Sequence, residues 1–218
     1  SYLDTENLEL LHKLKSELDD IYYNTGNSTL EDQRYDMLKD TLKKRDPKYV
    51  PPVGAKLREG ENRTAIPFWL GSADKIVPTE PQVLKKWLSE NKAPSYIISE
   101  KLDGVSCLLV SKNNIINLYT RGDGHVGADI SYLVPYFNLP KTLPDIAVRG
   151  ELIISKENFE LNYKDKNVNG RVYRNARNMV SGLIGAKTAR QGLSDINFIS
   201  YEIISSKQLP STQLSELE

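Results

Sequence analysis

The sequence predicts an α+β fold in which a helical hairpin precedes a larger domain built on a mixed or antiparallel sheet. The first fifty residues place apolar side chains at helical spacing, the middle of the chain contains short β-rich runs, and a helical stripe separates the last two runs. The 218 residues suffice for one full-sized and one smaller domain. We place the helical domain at 1–55 and the α+β domain at 56–218.

The predicted hairpin contains two amphipathic helices. The apolar face of the first is formed by Leu11, Leu14, Leu18, Ile21 and Tyr22. Gly26 and Asn27 end this pattern, and Ser28 with Glu31 then forms a capping box. The apolar stripe of the second helix comprises Tyr35, Leu38 and Leu42. The sequence therefore predicts two helices joined by a short turn.

A linker is predicted after the hairpin, and a short helix after the linker. Prolines at 47, 51 and 52 and the glycine at 54 indicate a linker near 47–63. Thr79 and Pro81 are typical of a helix start. The apolar face of this helix would contain Val83, Leu84, Trp87 and Leu88.

Five β-rich runs predict the strands of the sheet. They lie at 96–100, 105–111, 115–120, 147–154 and 198–204. Asn113 and Asn114 join the second and third runs, and this pair tolerates the positive φ of a two-residue hairpin turn. Between the last two runs, a helical face is formed by Ala176, Met179, Val180, Leu183 and Ile184.

Composition and charge exclude several classes of protein. The 29 Lys+Arg balance 29 Asp+Glu, which argues against a general nucleic-acid coat, although residues 141–190 contain ten basic against five acidic residues and could contact phosphates. No apolar run approaches the roughly 20 residues of a membrane span, and no signal-peptide pattern opens the chain. Cys107 is the only cysteine, which excludes internal disulfides and fits a reducing compartment. We expect a cytoplasmic protein with no membrane partner.

The most informative segment is Glu100-Lys101-Leu102-Asp103-Gly104, which lies between two predicted strands with carboxylates on both sides of the lysine. Taken alone, this pentapeptide also fits a solvated lysine in a surface ion pair. Two further runs follow in order. The first is Thr120-Arg121-Gly122-Asp123-Gly124, continued by Gly127 and Asp129, and the second is Val148-Arg149-Gly150-Glu151.

This ordered set resembles the NAD-dependent DNA ligases. The resemblance implies a nucleotidyltransferase domain of the ATP-grasp-like ligase type, in which Lys101 becomes adenylylated and Glu151 lines the nucleotide pocket. The T-R-G-D-G run distinguishes this family from ATP-dependent ligases and capping enzymes, which share only the lysine motif. Asn175-Ala176-Arg177-Asn178 is similar to the family's N-P-R-N segment, and Phe198 with Tyr201 stands where its aromatic motif falls.

The resemblance also covers the N-terminal helices. Tyr22, Tyr23, Asp32, Tyr35 and Asp36 look like the family's pattern for binding the nicotinamide mononucleotide (NMN) half of NAD, with Tyr23 standing where the family has histidine. An aromatic face for stacking survives that change, whereas the charge or donor of the histidine does not.

The resemblance further implies roles for residues around the lysine. Glu100 would accept a hydrogen bond from the adenine amine and Glu151 from a ribose hydroxyl. We add Ser72, Leu102 and Lys187 to the predicted NAD-binding set.

Attack on phosphorus requires an unprotonated amine, whereas a free lysine amine has a pKa of about 10.4. We expect cationic neighbours and partial desolvation to favour the neutral amine, with Arg121, Arg177 and Lys187 as candidate cations. The same cations, together with Mg²⁺, would oppose the charge of the diphosphate. Asp103 completes the predicted catalytic set. Without a clustered third carboxylate, the sequence predicts no protein-built metal site.

Members of the family continue past the aromatic motif into two lysine-containing strands, an OB-fold, a zinc module, helix-hairpin-helix repeats and usually a BRCT domain. These motifs are not found in the 218 residues. We therefore expect a truncated form, a subunit of a split ligase that needs a second polypeptide, or a reduced homologue. The expected substrate is nicked DNA, and a bacterial or viral context fits.

Two other interpretations stay open from the sequence. One is a non-catalytic module that binds NAD or a partner. The other is an ATP-using RNA ligase or capping-type nucleotidyltransferase.

Overall fold

The computed structural model describes residues 2–21, 32–49, 62–72, 76, 81–186, 188 and 190–217. Its helices are α1 (Tyr2–Thr5), α2 (Leu8–Asp20), α3 (Asp32–Arg45), α4 (Pro81–Glu90), α5 (Lys156–Asn162), α6 (Ala176–Ile184) and α7 (Pro210–Leu217). Its strands are β1 (Arg63–Ala65), β2 (Val105–Lys112), β3 (Ile115–Thr120), β4 (Val126–Ala128), β5 (Ile146–Ile153), β6 (Asn167–Val168), β7 (Arg171–Val172) and β8 (Asn197–Ile203). Short 3₁₀ helices occupy Ser131–Tyr136 and Leu193–Asp195.

Helices α2 and α3 pack through an apolar cluster of their own. Its buried members are Leu11, Leu38 and Leu42. These three belong to the predicted faces, whereas Leu14 is exposed and Tyr22 lies outside the described residues. The connection between the helices, including the predicted capping box at 28–31, lies outside the described residues. The turn of the hairpin therefore stays a prediction.

The predicted linker falls largely outside the described residues, since the structure resumes at 62 after a gap from 50 to 61. β1 begins at Arg63, the last position assigned to the linker, and pairs antiparallel with β4. The division of the chain at residue 55 stays a proposal.

Four strands form an antiparallel sheet in the order β3-β2-β5-β8. Asn113 and Asn114 join β2 to β3 with φ of 51° and 61°, which confirms the predicted two-residue turn. The register between β2 and β5 aligns Ser106 with Glu151. The segment that contains the lysine motif therefore enters the sheet beside the V-R-G-E glutamate.

The two faces of the sheet have different neighbours. Met179 of α6 is buried in the same cluster as Leu109 of β2. The adjacent Leu108 points to the opposite face, as alternation along a strand requires, and packs with Ile66 and Leu70. The predicted combination of an antiparallel sheet with a helix packed on it is confirmed.

The strand predicted at 96–100 is wrong. Residues 95–104 have no regular secondary structure, and Ile98 is 95% exposed. A β-rich run forms a strand only where a neighbouring strand accepts its hydrogen bonds. Both edges of β2 are already occupied, by β3 and β5. Residues 96–100 pair with neither edge strand, β3 or β8, and lie outside the sheet formed by the described strands.

Other elements differ from the prediction in burial or length. The predicted helix at Pro81 is confirmed as α4, but Leu84, Trp87 and Leu88 on its apolar face are exposed. The strands β1, β4, β6 and β7 contain two or three residues each and were not predicted, because so short a run has no detectable period. Among the helices of the described ranges, none has the length and apolar character needed to cross a bilayer.

The central sheet predicts a contrast between two side chains of β3. Leu118 is fully buried and Ile115 is 63% exposed. We expect Leu118→Ala to lower the free energy of unfolding by about 2 to 5 kcal/mol, because it leaves a cavity in the core. The matched change Ile115→Ala should cost less than about 1 kcal/mol. Urea denaturation of both variants checks this, and equal losses would contradict the assignment of Leu118 to the core.

Candidate active site

A cavity of about 1510 Å³ opens where the segment before β2 meets β5 and β8. Its walls include the lysine motif, Arg121 from the T-R-G-D-G run, Glu151 from β5, Arg177 from α6 and Tyr201 from β8. These residues are separated by up to a hundred positions in the sequence. The sheet register and the packing of α6 bring them to one place.

The lysine motif is fixed to the sheet through its glycine. The backbone N–H of Gly104 donates to Glu151 Oε1 at 3.3 Å. A Cβ atom on residue 104 would lie 2.1 Å from the carbonyl oxygen of Leu152. Any side chain at this position would therefore push β2 away from β5. Lys101, three residues earlier, is exposed on the cavity wall.

Glu151 is the buried carboxylate of the site, with 8% of its surface exposed. Burial raises the pKa of Glu151, while Arg177, the Gly104 amide, Lys101 and Arg121 oppose that increase. Three cationic side chains thus act electrostatically on one carboxylate. Such a set of charges can favour a polyanionic ligand beside a single hydrogen-bond acceptor.

Arg177 lies in the first turn of α6. Asn175 caps this helix, because its side chain accepts from the backbone N–H of Asn178 at 2.8 Å. Arg177 Nη1 donates to Asp103 Oδ1 at 3.2 Å, which links α6 to the lysine motif. Asn175, the first asparagine of the N-A-R-N segment, therefore caps the helix that contains Arg177.

The T-R-G-D-G run forms a tight turn after β3. Asp123 Oδ1 accepts from the backbone N–H groups of His125 and Val126 at 3.0 and 2.8 Å. Partial burial acts to raise the pKa of Asp123, but these two hydrogen bonds and nearby positive charge outweigh it and lower the pKa. Gly122 has φ of 55°, and a Cβ there would lie 1.9 Å from the carbonyl oxygen of Val126. Much of this motif is therefore required by the turn itself.

The structure brings together most of the predicted site residues. The cavity is lined by Lys101, Asp103, Arg121, Glu151, Arg177, Glu100, Leu102 and Ser72. Tyr35 and Asp36 lie on α3 and are not among the lining residues. Tyr22, Tyr23 and Lys187 lie outside the described residues, as does the side chain of Asp32.

Tyr35 is held by a buried ion pair on α2. Lys15 Nζ donates to Asp19 Oδ1 at 2.5 Å, and both side chains are buried. The hydroxyl of Tyr35 donates to the same carboxylate, and Lys15 Nζ lies 4.9 Å from the centre of the tyrosine ring. Burial lowers the pKa of Lys15, and Asp19 opposes that change. The ring therefore has a fixed orientation between the two helices.

Sequence reasoning assigned no role to several lining residues. Ser106, Tyr132, Arg149 and Ser181 all contribute to the cavity wall. Arg149 belongs to the V-R-G-E motif, and its position two residues before Glu151 could have indicated that it lies at the site. Tyr132 lies in a 3₁₀ helix, and its hydroxyl donates to the carbonyl of Ala186 at 2.9 Å. The two residues are more than fifty positions apart, so no local sequence pattern predicts this contact.

Acidic side chains at the site do not fit a protein-built magnesium site. Asp103 is paired with Arg177, and Asp123 accepts two backbone N–H groups in the turn. Across the described ranges, no three His, Cys, Asp or Glu side chains are grouped so that they could hold a metal ion.

The chain is similar to several known proteins. It is 44% identical over 207 residues to the DNA ligase of Acanthamoeba polyphaga mimivirus, an alignment that covers 90% of this chain and 31% of the viral protein. It is 27% identical over 209 residues to the DNA ligase of Fusobacterium nucleatum, covering 83% and 30% of the two chains. With the DNA ligase of Brachyspira hyodysenteriae it shares 28% over 213 residues, covering 88% and 32%.

The chain thus spans about a third of the length of these curated relatives. The family model described as the NAD-dependent DNA ligase adenylation domain matches residues 79–218, which include the lysine motif, the T-R-G-D-G turn, the V-R-G-E strand and α6. The chain therefore belongs to the NAD-dependent DNA ligase adenylation domain family.

Proposed function

We propose that this chain performs the adenylation step of an NAD-dependent DNA ligase. Lys101 Nζ attacks the adenylyl phosphorus of NAD, so that a nitrogen–phosphorus bond forms and the phosphorus–oxygen bond to NMN breaks. NMN leaves with the bridging oxygen, and the proton of the amine passes to solvent. An oxygen of the 5′-phosphate at a DNA nick then bonds to the adenylyl phosphorus, the nitrogen–phosphorus bond to Lys101 breaks, and the lysine nitrogen takes up a proton. Sealing of that nick is the activity expected of the longer proteins of this kind.

The observation that supports this proposal is the convergence of four separate motifs on one cavity. Lys101 is exposed on the cavity wall, and the buried Glu151 lines the same cavity. Arg121 and Arg177 lie close enough to Glu151 to affect the pKa of its carboxyl. Phosphoryl transfer depends mainly on positioning and on stabilisation of negative charge. The two arginines provide that charge for the diphosphate. Asp103 directs Arg177 towards the lysine motif through their ion pair.

The nucleoside contacts follow from which groups can accept hydrogen bonds. Glu151 has a free acceptor oxygen for a ribose hydroxyl once its other oxygen takes the Gly104 N–H. Glu100, Leu102 and Ser72 line the same cavity, where Glu100 would accept from the adenine amine. We also propose Lys187 as a further cation. Tyr201 exposes a ring on the cavity wall against which a base can stack.

We propose that the N-terminal helices bind the NMN half of NAD. Tyr22, Tyr23 and Tyr35 would stack on the cationic nicotinamide ring, and Asp32 and Asp36 would accept from the ribose hydroxyls. The fixed orientation of Tyr35 against Asp19 supports this proposal, because a pre-oriented ring loses less entropy on binding.

The candidate partners of the chain are Mg²⁺, a second polypeptide and nicked DNA. Mg²⁺ would accompany the NAD diphosphate as it does in most phosphoryl transfers. The family assignment disfavours the ATP-using alternative. The curated relatives contain the matching region within a single longer chain, so they do not support a separate second polypeptide. We keep nicked DNA as the proposed substrate.

The first prediction concerns the nucleophile. Incubation of the chain with NAD and Mg²⁺ should add one AMP moiety to Lys101, detectable by intact mass and peptide mapping, and Lys101→Ala should abolish the adduct. Lys92→Ala, which removes an exposed lysine nearby, should leave it unchanged. An adduct on another lysine would overturn the assignment. A chain that binds NAD without forming an adduct would be the non-catalytic module, and an adduct from ATP alone would support the ATP-using alternative.

The second prediction concerns the buried carboxylate. Because burial raises the pKa of Glu151, the folded state is favoured while this group is protonated, and it loses that contribution as the pH rises through the raised pKa. Glu151→Gln keeps an acceptor for the Gly104 N–H and cannot ionise. Its free energy of unfolding should therefore increase relative to that of the wild type as the pH rises from about 4.3, the ordinary glutamate pKa, towards neutrality, although adduct formation is lost. Urea denaturation across this range measures the difference.

The control for that experiment is Glu157→Gln, which changes an exposed glutamate at the start of α5. The difference between this variant and the wild type should stay nearly constant over the same pH range. A Glu151→Gln variant that behaved in the same way would contradict the buried, cation-surrounded carboxylate.

The third prediction concerns recognition of NAD by the N-terminal helices. Tyr35→Ala should weaken NAD binding by about 1 to 3 kcal/mol, by analogy with stacking of bases on aromatic side chains. Tyr35→Phe keeps the ring and loses the hydroxyl that donates to Asp19, so it should have a smaller effect. Calorimetric titration of NAD gives the affinities, and circular dichroism shows whether the helices are retained. Unchanged affinity in both Tyr35→Ala and Asp36→Ala would remove this part of the proposal.

A further inference from the structure

Residues 66–72 form a segment, here called the strap, that leads from β1 to the cavity. Ile66 N–H donates to the carbonyl of His125 at 2.9 Å, and Leu70 N–H donates to the carbonyl of Gly124 at 3.0 Å. Leu70 is fully buried beneath the sheet. The strap is thus fixed to the T-R-G-D-G turn up to residue 70, and Ser72 at its end lines the cavity.

Arg149 makes the contact that extends this attachment to the cavity. Its Nη2 donates to the carbonyl of Gly71, and its Nη1 lies 3.4 Å from Glu202 Oε2 on β8. The centre of its guanidinium lies 5.9 Å from the centre of the Tyr201 ring. A single side chain on β5 therefore contacts the strap, a carboxylate of β8 and an aromatic ring on the cavity wall.

The backbone at Gly71 is enclosed from another direction as well. A Cβ atom there would lie 2.2 Å from the indole ring of Trp69, so that ring lies directly over the glycine. Gly71 is buried between this ring and its neighbours, whereas Ser72 beyond it is exposed. The Arg149 guanidinium therefore contacts the strap at the residue before Ser72, which lines the cavity.

We propose that Arg149 is a positioning residue, which fixes the end of the strap and the Tyr201 ring and so places Ser72 and Tyr201 against the adenylyl half of the ligand. This inference rests on the proposed adenylation function. A planar guanidinium can satisfy the Gly71 carbonyl and the Glu202 carboxylate together with fixed geometry, whereas a lysine offers one flexible point charge. Arg149 thus acts through the fixed geometry of its hydrogen bonds, which a positive charge alone does not provide.

A double-mutant cycle separates positioning from direct contact with the ligand. Initial rates of Lys101 adenylation at varied NAD give KM and kcat for Ser72→Ala, Arg149→Ala and the double variant. We expect Arg149→Ala to raise KM about tenfold with a smaller change in kcat, as loss of one charged hydrogen bond permits. The double variant should be little worse than Arg149→Ala, because Ser72 is already displaced. Independent, multiplicative effects of the two changes would overturn the proposal.

Two single variants test geometry against charge. Arg149→Lys keeps the positive charge and should remain close to Arg149→Ala in KM, whereas recovery of the wild-type KM would show that charge alone matters and would overturn the proposal. Lys112→Ala removes an exposed cation at the far end of β2 and should leave KM and kcat unchanged.

A readout that needs no nucleotide distinguishes failure of this inference from failure of the adenylation proposal. The chain has two tryptophans, and Trp87→Phe leaves Trp69 as the sole indole reporter on the strap. In this background, Arg149→Ala should shift the Trp69 emission and increase its quenching by acrylamide, and Lys112→Ala should not. If Trp69 responds and the wild type forms no adduct with NAD, the attachment of the strap stands and the adenylation proposal fails. An unresponsive Trp69 overturns the role of Arg149 whatever the activity.

Discussion

The site depends on one close approach, between the backbone at the start of β2 and the buried carboxylate at the end of β5. The Gly104 N–H donates to Glu151, and a side chain at residue 104 would collide with the Leu152 carbonyl. Because Lys101 lies three residues earlier, this contact determines where the lysine enters the cavity. The glycine of the K-x-D-G motif is therefore required by packing, while Lys101 is exposed on the cavity wall and Asp103 pairs with Arg177.

That approach has an energetic cost, which the surrounding cations reduce. Burial disfavours the ionised form of Glu151, and Arg177, Arg121 and Lys101 favour it. In the proposed adenylation, the same cations face a polyanionic diphosphate. The cations that stabilise the buried carboxylate are thus the cations that the proposed reaction needs. Burial of the carboxylate lowers the stability of the fold, but it keeps these charges oriented before the ligand binds.

Local patterns predicted those parts of the structure that local interactions determine. The Asn113-Asn114 turn and α6 followed from residue type and period, as did the sheet strands, to within a residue or two at their ends. The run at 96–100 failed because its period is that of a strand, whereas strand formation depends on a partner that no local pattern reveals. The exposed apolar face of α4 is a similar case. Periodicity shows that a helix has an apolar side without showing what covers it.

The residues of the site likewise divide into those that sequence motifs identified and those that only the structure identified. Lys101, Arg121, Glu151 and Arg177 were found through motifs whose order in the chain is characteristic, and the structure brings them to one cavity. Arg149 and Tyr132 were given no role, because their contacts cross 78 and 54 positions of sequence to reach carbonyl groups that any residue could provide. Every residue has the same backbone carbonyl, so the sequence does not show which carbonyl accepts a side-chain hydrogen bond. Side chains that hold backbone in place are therefore visible only in a structure.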